Sequence, residues 1–158
     1  DKQRVIGACL GVGNGFGRGI GKLVTGALDK GVEGVAPVEG VSNAEAMAVG
    51  RKVGISVDQF DSVIRGSRMD CGFYQTFMGY AVEGNKEAHK FTLGNAYKDA
   101  RYLAKMADDA AVSNPVGTAM KNSFAAAINM GGDGPEDYVP HLVDFIARLN
   151  GLPPGKES

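Results

Sequence analysis

The sequence predicts an all-α fold, a helical bundle with a long first helix. Apolar residues recur at helical spacing along most of the 158-residue chain, and helix-start and helix-stop signals divide them into about six helices. Residues 4–9 (RVIGAC) resemble a β-strand, but a single strand cannot form a sheet. We therefore expect one helical domain at residues 20–151, with a glycine-rich segment at 1–19 and a tail at 152–158.

The glycine-rich segment leads into a lysine that is a candidate proton-transfer residue. Glycine occupies every second position from 11 to 21, which permits a tight backbone path close to a ligand but not a regular strand. Lys22 follows at the predicted start of a helix, where the partial positive charge of the helix terminus lowers the pKa of an ammonium group. This placement suits proton exchange near neutral pH, although spacing alone favours a solvated surface lysine.

The same glycines contain matches to the dinucleotide-binding pattern, but these matches arise almost automatically from alternate glycines. A dinucleotide fold also requires a strand before the loop and further strands after it. No such strands follow in residues 20–158, so we exclude a Rossmann fold within this chain.

Residues 20–54 are predicted to form the long first helix. Several residues in it would weaken an exposed helix, namely Gly26, Gly31, Gly34, Pro37 and Gly40. Such residues are tolerated where helices pack closely or kink, so we expect burial against other helices of this subunit or of a second one. Gly54 is the expected residue just beyond the helix end.

The next two segments combine a capping signal with an aromatic-rich stretch. Ser56 and Gln59 fit a capping box that opens a helix with Phe60, Val63 and Ile64 on one face. Residues 69–82 are dense in aromatic side chains. Such density is typical of a hydrophobic core, although it also occurs around substrate pockets.

Three further helices are predicted in the C-terminal half. The first covers residues 93–112; the second begins with Pro115 and ends at Gly131, and the third opens at Pro135. The residues expected to face inward are Leu103, Met106, Ala107 and Ala110 in the first of these, and Val139, Leu142, Val143, Ile146 and Leu149 in the last.

Composition argues against several classes of function. The formal net charge is −1 and no basic run occurs, which argues against nucleic acid as a partner. Two cysteines, Cys9 and Cys71, and two histidines argue against a disulfide framework or a metal site. No apolar run could span a bilayer and no signal peptide is visible, so we expect no membrane partner and a cytoplasmic location.

Four motifs, in one order, carry a resemblance to a known family. They are GNGFGRGIGKLV, NAEAMAVGRKVGIS, FTLGNAYKDARYLAKMA and SNPVGTAMKNSFAAAINMGGDGPEDYV. Together they resemble the C-terminal helical domain of the β-hydroxyacid dehydrogenases, which include 3-hydroxyisobutyrate dehydrogenase, tartronate semialdehyde reductase and relatives of 6-phosphogluconate dehydrogenase. The resemblance covers residues 13–149 and depends on the combination of motifs rather than on any one of them.

The resemblance implies a two-domain oxidoreductase that uses NAD or NADP. A Rossmann domain holding most of the cofactor would precede this chain, which alone would be inactive. The resemblance implies that Lys22 is the catalytic general acid/base and that Lys98 and Phe91 contact the cofactor. Without it, Lys98 would be interpreted as a surface lysine paired with a nearby acid. The implied substrate is a small hydroxyacid or its semialdehyde, and the implied assembly is a homodimer or a higher homo-oligomer.

The sequence departs from the family pattern at the expected substrate-binding position. The family usually places an amide side chain four residues after the catalytic lysine, one helical turn along the same face. Here that position is Gly26, with Thr25 beside it. A different register would make Lys30 the catalytic residue; we prefer Lys22 because the glycine loop precedes it. An alternative interpretation is a non-catalytic helical oligomerisation domain that retained the family fold.

Overall fold

The computed structural model describes residues 36–132 and 134–155, and this part of the chain is helical. It contains α1 (Ala36–Lys52), α2 (Val57–Ile64), α3 (Gly72–Ala81), α4 (Leu93–Asp109), α5 (Pro115–Met130) and α6 (Leu142–Leu149). Two 3₁₀ turns, Gly134–Glu136 and Val139–His141, lie between α5 and α6. Within these residues the only β-type pairing is an isolated antiparallel bridge between Thr92 and Tyr138. The predicted all-α fold is confirmed.

The described helices share one hydrophobic core. Helix α1 packs on α6, and α4 packs along α5. The largest fully buried side chains include Met47, Tyr74, Phe77, Met78, Phe124 and Leu142. The core interpretation of the aromatic stretch is therefore confirmed for much of α3. The first part of the predicted long helix, before Ala36, lies outside the described residues, as does the proposed boundary between residues 19 and 20.

The junction between α1 and α2 follows the signals in the sequence. Gly54 adopts a positive φ of 87°, which favours glycine and confirms its position just beyond the end of α1. Ser56 Oγ accepts a hydrogen bond from the backbone N–H of Gln59 at 3.1 Å, and Gln59 Oε1 accepts one from the backbone N–H of Ser56 at 2.8 Å. The predicted capping box is confirmed, and it fixes the first turn of α2.

The inward face was predicted wrongly at four positions, one of which is Leu149, 59% exposed at the end of α6. Val63 is 75% exposed because it lies about 120° around α2 from buried Val57. In α4 the small residues Ala96 and Ala100 are buried, whereas Leu103 and Ala110 are exposed. Ala110 is already the C-cap, one residue beyond the helix, so it cannot share the inner face.

The last helix was also predicted to begin too early. Pro135 lies in a 3₁₀ turn that begins at Gly134, and α6 begins only at Leu142. The cause is a tertiary contact: Tyr138 is extended, with φ −88° and ψ 155°, because it pairs with Thr92. Pro140 then lacks the N–H that a continuous helix would use. The chain can therefore turn into α6 only after this pairing ends.

Two glycines of α1 are expected to respond in opposite ways to alanine. A Cβ on Gly40 would lie 2.7 Å from Cγ1 of fully buried Val139, so Gly40→Ala overpacks the core. On Gly50 the nearest atom would be Ile55 Cβ at 3.6 Å, an ordinary contact. Gly40→Ala should lower the free energy of unfolding by about 1–2 kcal/mol, since overpacking outweighs the helix-propensity gain of about 1 kcal/mol. Gly50→Ala should raise it by about 0.5–1 kcal/mol.

Urea denaturation of both variants beside the unmodified chain measures these changes. The two substitutions are chemically identical and lie in one helix, so their difference isolates packing from helix propensity. An equal change in both variants would contradict the close approach of α1 to the turn at Val139.

Candidate functional site

The residues expected to carry the chemistry divide into two groups. Lys22, Thr25, Gly26 and the alternative Lys30 lie outside the described residues, so their catalytic and substrate-binding roles stay predictions. Lys98 and Phe91 are described. The structure therefore describes only the expected cofactor-contacting side of the site.

Lys98 projects from the N-terminal half of α4 into solvent. Its Nζ lies 3.4 Å from Oδ1 of Asp99, and the two side chains are 52% and 51% exposed. An ion pair this open contributes well under about 1 kcal/mol, so a ligand could displace Asp99 at little cost. The ammonium group carries three hydrogen-bond donors and suits amide, hydroxyl or phosphate oxygens.

Phe91 belongs to a short segment that fixes where α4 begins. The backbone N–H of Val139 donates to the Phe91 carbonyl at 2.8 Å, and the N–H of Leu93 donates to the Asp137 carbonyl at 2.7 Å. Thr92 caps α4 by accepting a hydrogen bond from the Asn95 N–H at 3.3 Å. The Phe91 ring is partly buried against the core. Lys98 therefore stands on a helix whose first turn is anchored from two sides.

A polar cavity lies beside this anchored segment. Its volume is about 180 Å³. Apolar walls come from Leu93, Ala127 and Phe145, and two glycines, Gly131 and Gly132, leave room at one side. The polar side chains that line it are Tyr80, Lys86, Asp137, His141, Asp144 and Arg148.

Two carboxylates in the cavity wall hold the aromatic polar groups in place. Tyr80 donates its hydroxyl to Oδ2 of Asp144 at 2.7 Å, while Oδ1 of Asp144 accepts from the Gly155 N–H at 2.7 Å. Nδ1 of His141 lies 3.0 Å from Oδ1 of Asp137, a carboxylate that is largely buried. The Tyr80 and His141 rings are 4.5 Å apart. This arrangement fixes the orientation of both rings.

Burial and the hydrogen bond to Asp144 raise the pKa of Tyr80 above its ordinary value. The negative charge of Asp144 acts in the same direction, and Arg148 opposes it. Tyr80 is therefore a neutral phenol over the physiological range. It donates one hydrogen bond and does not act as a base.

Sequence reasoning did not identify this cavity. Tyr80 was assigned to the core stretch, and its partners come from the connection after α3, from the turns after α5 and from α6. The one local signal is Asp137 with His141 four residues later, a spacing too common to single out. Only the tertiary fold brings these groups together.

The described ranges contain neither a metal-binding cluster nor a helix able to cross a membrane. No group of three or more histidine, cysteine, aspartate or glutamate residues there could hold a metal ion. None of the helices in residues 36–132 and 134–155 combines the length and the apolar character needed to cross a membrane. Cys71 is a free thiol that caps α3 and lies 3.4 Å from a carboxylate oxygen of Glu39.

Comparisons with known proteins agree with this fold. Residues 35–141, more than half of the chain, match the family described as NAD-binding of NADP-dependent 3-hydroxyisobutyrate dehydrogenase. Phe91 and Lys98 lie inside the matched range, whereas Lys22 lies outside it. A comparison with curated proteins found no significant match.

A solved structure shares the fold. It is the crystal structure of 3-hydroxyisobutyrate dehydrogenase from Salmonella typhimurium, which matches with a TM-score of 0.62 and 22% identity. The match covers 70% of this chain and 38% of that protein, so this chain spans well under half the length of the matched protein. At this identity the likeness shows the fold. The family match shows more: the chain belongs to the NAD-binding family of the NADP-dependent 3-hydroxyisobutyrate dehydrogenases.

Proposed function

We propose that this chain is the helical C-terminal domain of an NAD(P)-dependent β-hydroxyacid dehydrogenase. The reaction would oxidise a small 3-hydroxy acid to its semialdehyde, or run in reverse. The observation that carries the proposal is the family match over residues 35–141, which includes both expected cofactor-contacting residues. A domain that contributes to a nicotinamide site is one half of such an enzyme, and a Rossmann domain would supply the other half.

The described residues fit a nicotinamide cofactor on chemical grounds. A nicotinamide cofactor, when bound, accepts or donates the hydride. Lys98 offers an exposed ammonium whose one carboxylate partner is weakly held, and Phe91 offers an apolar ring at the base of the same helix. Lys98 would donate hydrogen bonds that orient a cofactor, and Phe91 would exclude water from one side of it.

Lys22 would hold and release the proton of the substrate hydroxyl. Oxidation of an alcohol to a carbonyl removes a hydride from carbon and a proton from oxygen, so a base must accept that proton. A lysine whose pKa is lowered by a helix N-terminus can do this near neutral pH. Thr25 and Gly26 would lie one turn further along, where the family usually has an amide. Thr25 would then supply the hydroxyl that binds substrate.

Joining this chain to a family cofactor domain tests the proposal. The chain alone should show no NAD(P)-dependent turnover of 3-hydroxyisobutyrate. A polypeptide that joins this chain to an NAD(P)-binding domain of this family should oxidise that substrate. In that polypeptide, Lys98→Ala should raise the KM for the cofactor about tenfold. Lys105→Ala is the matched control, because Lys105 is also exposed on α4 and paired with an aspartate, at 2.7 Å.

Three outcomes count against the proposal. Turnover by the chain alone would remove the need for a second domain. An equal effect of the two lysine substitutions on the KM for the cofactor would contradict a cofactor contact of Lys98. If the joined polypeptide binds the dinucleotide but shows no turnover, the proposed dehydrogenase activity is wrong.

A second candidate function is a helical oligomerisation domain without catalysis. Val49 lies in the last turn of α1 and is 65% exposed. Val53 lies just beyond the end of that helix and is 70% exposed, and Ile55, two residues later, is 44% exposed. These exposed apolar residues favour association with a second copy of the chain. The dehydrogenase proposal also includes a homodimer or higher homo-oligomer, so association alone does not separate the two. Absence of turnover in an assembled, dinucleotide-binding polypeptide favours the scaffold.

A further inference from the structure

The polar cavity contains more hydrogen-bond donors than its own walls satisfy. Lys86 lies on the connection after α3, and Arg148 lies in the last turn of α6; both line the cavity. Neither side chain forms a hydrogen bond or ion pair with a residue that the structure describes. An ammonium carries three donors and a guanidinium five, so up to about eight N–H groups are available here.

Both carboxylates that line the cavity already hold groups other than Lys86 and Arg148. Asp144 accepts from the Tyr80 hydroxyl and from the backbone of Gly155. Asp137 accepts from His141, whose other ring nitrogen lies 3.3 Å from the carbonyl oxygen of Lys86. The carboxylates are thus engaged with other groups rather than with the two cations. Lys86 and Arg148 are exposed, so their donors face solvent, where a ligand rich in acceptor oxygens can replace water.

The size and walls of the cavity limit the ligand to a small molecule. Its volume of about 180 Å³ is close to that of cavities that hold a benzene-sized molecule, about 150 Å³, and below the usual range for drug-sized ligands. The Tyr80 and His141 rings, tilted by 37° to each other, form one wall, and Phe145 and Leu93 form an apolar one. A compact anion with few carbon atoms suits both the volume and the walls.

We propose that this cavity binds a small oxyanion, either the carboxylate of a small organic acid or inorganic phosphate, held by Lys86 and Arg148 against the Tyr80–His141 wall. Carboxylate and phosphate share the chemistry that a guanidinium recognises through paired N–H donors. The proposal goes beyond the dehydrogenase function, since it requires neither Lys22 nor a cofactor domain. Binding can therefore be measured on this chain without a dinucleotide.

The two histidines provide a direct measurement. The chain has only two, and His141 lines the cavity whereas His89 does not. We would follow the histidine ring resonances by NMR while adding sodium phosphate or sodium lactate at constant pH and ionic strength. A saturable shift of the His141 signal is expected, with the His89 signal as internal reference. His141→Gln assigns the two signals.

Charge-removing variants identify the binding residues. Arg148→Gln and Lys86→Gln should each weaken anion binding tenfold or more. Arg101→Gln is the matched control, because Arg101 is exposed, stacks on Tyr97 at 5.7 Å and lies outside the cavity. All three residues are exposed, so folding should survive, and circular dichroism checks this.

Each outcome bears on the proposal. Saturable binding of either anion supports the site. The anion that binds more tightly identifies whether the ligand is inorganic phosphate or the carboxylate of a small organic acid. Shifts that do not saturate, or that affect His89 equally, would overturn it as nonspecific. Equal weakening by Arg101→Gln and Arg148→Gln would overturn it as a general charge effect.

Discussion

From about pH 10 upward, the free energy of unfolding of the described helical unit is expected to fall by up to about 1.4 kcal/mol per pH unit for each of two tyrosines. Tyr74 is 1% exposed and donates its hydroxyl to Asp61 at 3.1 Å. Tyr80 is partly buried and donates to Asp144 at 2.7 Å. Burial, followed by the hydrogen bond to a carboxylate, raises the pKa of both phenols.

The direction follows from proton binding in the two states. In the unfolded chain a tyrosine loses its proton near pH 10, whereas the folded protein retains it to higher pH. Above that point the folded state binds more protons than the unfolded state, so stability declines as the pH rises. Below about pH 10 both states are protonated, and the stabilisation from these two groups is fully present.

Urea denaturation between about pH 8 and pH 11 measures this dependence. Tyr74→Phe and Tyr80→Phe should each reduce the slope, because each removes one phenol whose pKa is raised. Tyr102→Phe is the control, since Tyr102 is 56% exposed, and it should leave the slope unchanged. Lysines also titrate in this range, but they are common to all four proteins. An unchanged slope in the Tyr74 and Tyr80 variants would contradict the burial of the phenols.

Local signals in the sequence predicted the helices well where the cause of the structure is itself local. Ser56 with Gln59, Gly54 and Pro115 act within a few residues of themselves, and each marks a helix boundary as expected. Pro135 carried a similar signal, but the pairing of Tyr138 with Thr92 delays α6 until Leu142. That pairing joins residues 46 positions apart in the chain, so no local pattern could reveal it.

The candidate site shows the same limit. The family resemblance predicts cofactor contacts for Phe91 and Lys98, and these contacts stay predictions. The polar cavity has no such motif: Tyr80 and Asp144, which share a hydrogen bond, are 64 residues apart. Spacing predicts which face of a helix a residue occupies. It does not predict which two faces will meet.

The choice between Lys22 and Lys30 can be settled by their different chemical roles. In the polypeptide that joins this chain to an NAD(P)-binding domain, Lys22→Ala is expected to lower kcat by about 10²–10⁴-fold, the usual contribution of a general acid/base. This loss corresponds to about 2.7–5.5 kcal/mol of transition-state stabilisation. Lys30→Ala is the matched control and should change kcat little, because Lys30 lies eight residues after Lys22 in the sequence and outside the preferred motif.

Further variants separate proton transfer from charge alone. Lys22→Arg keeps the positive charge, but a guanidinium does not release its proton near neutral pH, so this variant should be nearly as slow as Lys22→Ala. The dependence of kcat on pH should lose the limb that reports the base, and an added primary amine should restore part of the rate to Lys22→Ala.

If Lys30→Ala gives the large loss and Lys22→Ala does not, the catalytic motif lies eight residues later in this chain than in the register preferred here. The amide position four residues after the lysine would then be Gly34 rather than Gly26. Because neither position offers an amide, substrate binding would have to come from neighbouring groups in both registers.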